Sequence, residues 1–279
     1  MTTAVPVSPR LSPPRAAWRD LDEELDAWAD SGIAATFWWR DDDATTATPA
    51  LARLAGLSRT LAVPLALAVI PAQAQPDLAA ALNRHPTVTV LQHGWSHVDH
   101  AAPPAKKCEL GSERAADTVL AELAEGRRRL ERLFGPRALP AALPVLVPPW
   151  NRIAPAVAER LGEAGIHGLS TFGPRRLTHP GVACVNTHLD PIAWKEGKRF
   201  LGEAESLGMA VAHLRARRAG SVDTREPTGL LTHHLVMDDE TWAFAERFLS
   251  TVRSHPAARW LPPDALFGSG PFEAEKGAR

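Results

Sequence analysis

Residues 33–45 read IAATFWWRDDDAT. An apolar, strand-forming run passes without a break into an arginine and three aspartates. The aromatic and β-branched residues in the first part suit a strand. A run that is apolar throughout, with no polar alternation, suits a parallel sheet covered on both faces. The residues after the run decide between kinds of parallel sheet. An open doubly wound sheet usually carries a Gly-rich phosphate loop after its first strand. Here three carboxylates stand in that place and would attract a cation and repel an anion, which favours a closed barrel.

Working outward, Trp18, Leu21, Leu25 and Trp28 recur at three- and four-residue spacing, which predicts an amphipathic helix ended by Ser31-Gly32. After residues 33–39, further apolar runs lie near 65–70, 87–91, 143–147, 166–170, 182–186 and 229–232. Helical patterns lie between most of them. Thr48-Pro49 and Gln75-Pro76-Asp77 read as helix starts. Ser112 is read as opening a long helix that ends at Phe134-Gly135. Pro155 opens one ending near Gly165, and 200–219 and 239–254 are helical in pattern. Strand and helix in alternation predict about seven parallel strands with crossover helices. We expect an α/β fold, a distorted (β/α)7 barrel, with 1–12 a mobile N-terminal segment and 13–279 a single domain.

The 279 residues are 45% hydrophobic, enough for a sizeable core, and the formal charge of −1 gives no reason to expect nucleic acid or an anionic membrane. Cys108 and Cys184 are far apart and form no CxxC, so a reducing compartment is expected. The N-terminal residues contain no apolar stretch of signal-peptide length, and no run approaches the roughly 18 apolar residues of a membrane span. A cytoplasmic location is the expectation.

Polar clusters follow the strands. RDDDA (40–44), QHGWSH (92–97), PPWNR (148–152), THLDPIAW (187–194) and THH (232–234) all fall at C-terminal strand ends. In a parallel barrel those ends share one face, where active sites are built from several strands. An isolated Asp triplet is more often a solvated turn or helix start, and a lone pair of histidines four apart is more often unligated. Together they suggest a metal centre. His93 and His97 would share a face on a helical turn, and two histidines with one carboxylate leave open positions on a metal, the catalytic pattern. His233 and His234 point to opposite sides if extended, so one of them faces the site and could act as a general acid. Asp190 and Trp194 could orient it or wall the site, and Trp95 and Trp150 could floor it.

In this order the motifs resemble the polysaccharide deacetylase family, carbohydrate esterase family 4, with its NodB homology domain. FWWRDDDA is similar to the family's strand with paired Asp. His93-Gly94-Trp95-Ser96-His97 is similar to its His-Thr/Ser-x-x-His. Val147-Pro148-Pro149-Trp150-Asn151 is similar to its Arg-x-Pro-Tyr/Trp-Gly, Asp190 and Trp194 to its fourth motif, and LLTHH to its Leu-x-His strand end. The likeness spans roughly residues 33 to 250.

The resemblance implies a divalent metal, usually zinc, held by Asp43, His93 and His97, with Asp42 as base and His234 or His233 as acid. An Asp41/Asp42 register stays open. It implies a glycan or small-molecule substrate contacted by Trp95, Pro149, Trp150, Asn151, Arg152, Asp190 and Trp194. Two departures stand out: Gly94 where the family has Thr or Ser, and Val147 where it has Arg. Arg40 or Arg152 could replace that arginine and orient the base. The leading expectation is a metal-dependent hydrolase that removes an acyl group, N-acetyl first, from a sugar-type substrate. The alternative is a non-catalytic barrel that binds a carbohydrate or protein partner.

Overall fold

The computed structural model describes residues 15–135, 142–175 and 181–268; the N-terminal segment expected to be mobile lies outside them. Helix α1 (Trp18–Asp30) buries Leu21, Leu25 and Trp28, the stripe that its spacing predicts. Strand β1 (Ala35–Ala44) comes next and continues through all three aspartates instead of ending before them. Thr48 caps α2 (Pro49–Leu61) by accepting the Leu51 N–H, and β2 (Leu65–Val69), α3 (Pro76–Leu82) and β3 (Val88–His93) come after it.

The long helix α4 (Ala116–Phe134) begins four residues after Ser112, because residues 98–115 form a separate loop. Then come β4 (Ala142–Val147), α5 (Pro155–Ala158), and the two-residue strands β5 (Gly168–Leu169) and β6 (Ala183–Cys184). A hairpin of β7 (Ile192–Ala193) and β8 (Arg199–Phe200) takes the first residues expected in a helix, so α6 starts later (Glu203–Arg218). The chain finishes with β9 (Thr228–Thr232), α7 (Asp239–Ser254), β10 (Ala258–Trp260) and α8 (Pro263–Phe267).

The main sheet is parallel throughout, in the order β10-β1-β2-β3-β4-β5-β6 with β9 on the other edge of β1. Chain beyond β6 completes the ring: Thr187 bridges Phe172 and Leu189 bridges Leu230 of β9. Seven strands therefore curl into the expected distorted barrel. The added strand β10 pairs with the first residues of β1, on the edge that β2 uses further along.

Side-chain alternation sorts the strands into two layers. Phe37, Trp39, Leu65, Leu67, Val69, Val88, Val90 and Leu230 face outward into one core with the helices. Trp38, Ala66, Ala68, Leu91, Val145 and Val147 face inward with Phe267 of α8. The small alanines of β2 leave room for the Trp38 indole, which meets the Phe267 ring edge-on at 5.9 Å. The barrel interior is therefore a packed core, and the polar clusters named above gather at the C-terminal rim. Among the described residues, no helix is long and apolar enough to cross a membrane.

Candidate active site

The alternation in β1 continues into its charged half, and each aspartate meets a different environment. Arg40 and Asp42 share the inward face with Trp38, and both are buried. They form a two-pronged pair, Arg40 Nε to Asp42 Oδ1 at 2.9 Å and Nη2 to Oδ2 at 3.0 Å. The remaining guanidinium N–H groups reach Ser170 Oγ (2.6 Å), the Thr171 carbonyl (3.2 Å) and Asn151 Oδ1 (2.8 Å). All five donors are used, so the guanidinium is fixed in plane and Asp42 with it. Of the two arginines considered, Arg40 is the one paired with Asp42; Arg152 donates instead to the Lys107 carbonyl.

Asp41 faces the outer layer. Its Oδ2 accepts the Thr232 hydroxyl (2.6 Å) and the His234 N–H (3.0 Å), and its Oδ1 accepts His234 Nδ1–H at 2.5 Å. Trp39 Nε1 donates to the same Thr232 hydroxyl. Burial pushes the His234 imidazole down, but Asp41 more than reverses this and its pKa is raised.

Asp43 departs from the strand. Its φ is 77°, in the left-handed region, and the pairing of β1 with β2 shifts register between Asp41 and Ala44. The carboxylate turns to the end of β3, where Oδ1 lies 3.0 Å from His93 Nε2 and 3.3 Å from His97 Nε2. Neither approach has hydrogen-bond geometry, and Oδ1 is buried without a partner. His93 Nδ1 lies 2.9 Å from the Val147 carbonyl, which can only accept. In the neutral form of His93, the Nε2 lone pair therefore faces Asp43. A carboxylate oxygen and two imidazole nitrogens, all within 4.8 Å, with one ring oriented by a backbone carbonyl, suit a divalent cation. Burial would raise the Asp43 carboxyl, but the close approach and charge of His93, with His233 and His97, hold it well below the usual carboxylate range. No helical turn forms between the two histidines; a loop with positive φ at Gly94 (57°) and His97 (59°) brings them together.

The remaining expected residues surround this trio. The Trp150 ring packs 4.4 Å from His97, on a backbone with φ of 55° at Trp150 and 56° at Asn151. Pro149 lies beneath Gly94. Trp95 is half-buried, and its backbone N–H donates to Glu109. His233 continues the inward face of β9, edge-on to Trp194 at 4.6 Å, with its Nδ1 buried and without a partner. Trp194 Nε1 donates to Asp190 Oδ2 at 2.7 Å. Burial raises the Asp190 pKa, opposed by the charge of His233. Sequence reasoning missed Glu109 and Ser170, and quoted Thr232 within LLTHH without giving it a role. Glu109 and Ser170 lie in no recognisable motif, although Ser170 does sit at a strand end.

No protein-family model matches the chain, and no curated protein matches it in sequence. Solved structures do match. The chitin deacetylase of the fungal pathogen Colletotrichum lindemuthianum aligns over 86% of this chain and 90% of its own, with a TM-score of 0.54 at 13% identity. A family 4 carbohydrate esterase from Streptomyces lividans covers 80% and 90%, with a TM-score of 0.52 at 12% identity. The peptidoglycan deacetylase PdaC of Bacillus subtilis covers 84% and 90%, with a TM-score of 0.51 at 12% identity.

The fold is that of the polysaccharide deacetylases. On this barrel a second trio, His188, His213 and Glu226, also brings three donor atoms within 4.8 Å. It lies under α6, away from the rim. His188 Nδ1 accepts the Gly229 N–H at 3.1 Å, so the ring proton is on Nε2, which faces Glu226 at 3.4 Å and has no lone pair for a metal. The His188 and His213 rings stack with centroids 3.4 Å apart, so the trio reads as a buried polar inclusion.

Two outcomes are expected. Replacing Arg40 by Met leaves Asp42 buried and unpaired, and should cost about 3–5 kcal/mol in urea unfolding, much of it recovered in Arg40→Met/Asp42→Asn. Burial, with the charges of His188 and Arg217, pushes His213 down to about 2 from 6.5. The unfolded chain therefore takes up a proton below pH 6.5 that the native state refuses, and stability falls as pH falls through that window. Between pH 7.5 and pH 5, wild type should lose about 2 kcal/mol more than His213→Gln, measured by urea unfolding at both pH values.

Proposed function

We propose that this chain is a metal-dependent hydrolase that removes an acyl group, N-acetyl in the first instance, from a sugar-type substrate. The observation that carries the reading is the buried Asp43 Oδ1, without a hydrogen-bond partner and facing two imidazole nitrogens. Asp43, His93 and His97 would hold a divalent cation, zinc before others. Such an ion supplies Lewis acidity, polarising an acyl carbonyl and acidifying water.

The chain's own groups do the proton work. Asp42, aimed by Arg40, takes a proton from the attacking water. Water oxygen adds to the acyl carbon, the C–N bond breaks, and the nitrogen leaves with a proton as amine. The inward-facing His233 donates that proton. His234 is placed on the outer face by Asp41 and has a positioning role.

The rim supports a sugar-type substrate. Of the five large apolar side chains left exposed among the described residues, Val98, Phe172, Trp194 and Leu235 come just after the clustered strand ends, and only Ile33 lies elsewhere. Together with Trp150 they offer platforms for a sugar face, and the structural neighbours include deacetylases of chitin and of peptidoglycan. The alternative of a non-catalytic barrel rests on Val147 in place of the family arginine. Arg40 supplies the guanidinium which that position lacks, and this favours catalysis.

The test is acetate release from N-acetylglucosamine oligomers by zinc-loaded protein. Asp42→Asn and His233→Asn should each lower kcat by about 10²–10⁴-fold. His234→Asn should lower stability as well as rate, since it removes the imidazole partner of Asp41 Oδ1. Unchanged turnover in Asp42→Asn would remove the proposed base.

A further inference from the structure

The loop that carries His97 is held by a side chain from outside every motif. Glu109 is fully buried. Its Oε1 accepts the Ser96 N–H (2.6 Å), the Ser96 hydroxyl (3.0 Å) and the His97 N–H (3.1 Å), and its Oε2 accepts the Trp95 N–H (3.2 Å). Three consecutive backbone N–H groups converge on one carboxylate. In a strand, successive N–H groups point to opposite edges. They converge here because the backbone takes positive φ at Gly94 and at His97, forming an anion-binding concavity. The chain fills that concavity with its own carboxylate.

Glu109 is itself delivered by a tied loop. Asp99 Oδ1 accepts the Ala101 and Cys108 N–H groups, each at 3.0 Å, and the His100 N–H donates to the Cys108 carbonyl at 3.0 Å. On the far side Leu110 bridges Ile153, and its carbonyl accepts the Ala154 N–H at 2.8 Å. Position 94 fits this arrangement. A Cβ there would stand 2.0 Å from Glu109 Oε2 and 2.6 Å from Pro149 Cγ. Glycine at 94 and the carboxylate at 109 are therefore one packing solution, in which a group fifteen residues downstream orders the loop.

We propose that Glu109 is the positioning residue for the metal ligand His97: it holds the left-handed turn that aims the His97 imidazole at Asp43. This rests on the metal-site reading above and adds a residue to it.

The test is zinc affinity by competition titration, with the visible spectrum of the cobalt-loaded protein as a geometric readout, for wild type, Glu109→Gln and Ser96→Ala. Urea unfolding of the metal-free proteins runs alongside. Glu109→Gln keeps the shape of the side chain but turns one acceptor into a donor facing N–H groups. It should weaken zinc binding by about 10–100-fold and alter the cobalt bands. Ser96→Ala removes only the hydroxyl donor and should give a smaller loss in the same direction, which keeps the test decisive if Glu109→Gln does not fold. Wild-type affinity and spectrum in both variants would overturn the role of Glu109 and leave the metal site standing. A wild-type protein that takes up no metal would overturn both.

Discussion

Three consecutive carboxylates at the buried end of a central strand are the constraint on which this structure turns. An unpaired buried charge costs several kcal/mol, so β1 can end in Asp41, Asp42 and Asp43 only if each finds its own partner. Strand alternation separates the first two. Asp42 goes inward to Arg40, and Asp41 goes outward to Thr232 and His234. The third cannot be separated by alternation. It leaves the strand through a positive φ and a register shift, and faces His93 and His97. Each solution draws in a different strand end: β9 for Asp41, the turns after β4 and β5 for the Arg40 that holds Asp42, and β3 for Asp43. The site is assembled by the same contacts that make the charges tolerable.

The barrel makes those partners available. Parallel pairing sets residues 40–44 of β1 level with 66–69 of β2, and residues 37–41 level with 228–232 of β9, and β3 meets β4 so that the Val147 carbonyl reaches His93 Nδ1. Val147 thus contributes through its backbone at a position where its side chain is part of the inner core. The guanidinium beside Asp42 comes instead from Arg40, two positions before the carboxylate and on the same face. The HGWSH loop obeys the same logic. It is ordered by Glu109 from a neighbouring loop and has no room for a side chain at 94.

Much of this was legible in the sequence, because periodicity and composition report directly on burial. The stripe of α1, the capped start of α2 and the span of α7 at 239–254 agree with the pattern. Each of the seven apolar runs overlaps a strand of the ring, and the polar clusters do lie at strand ends. The features that failed to show are set by distance or brevity. β10 has three residues and the β7–β8 hairpin two on each side, too short for a periodic signal. Ser112 resembles a helix start, but the chain spends residues 98–115 delivering Glu109. The choice between Arg40 and Arg152, and the different faces of His233 and His234, depend on strand parity and on partners more than a hundred residues away.

The central claim is that Asp43, His93 and His97 form a divalent-metal site. The direct test is the metal content of purified, untagged protein after incubation with zinc and removal of excess, beside Asp43→Asn, with both checked for folding by circular dichroism. About one equivalent is expected in wild type, with loss of that equivalent in the variant. No metal in the folded wild type, or equal metal in both proteins, would contradict the claim.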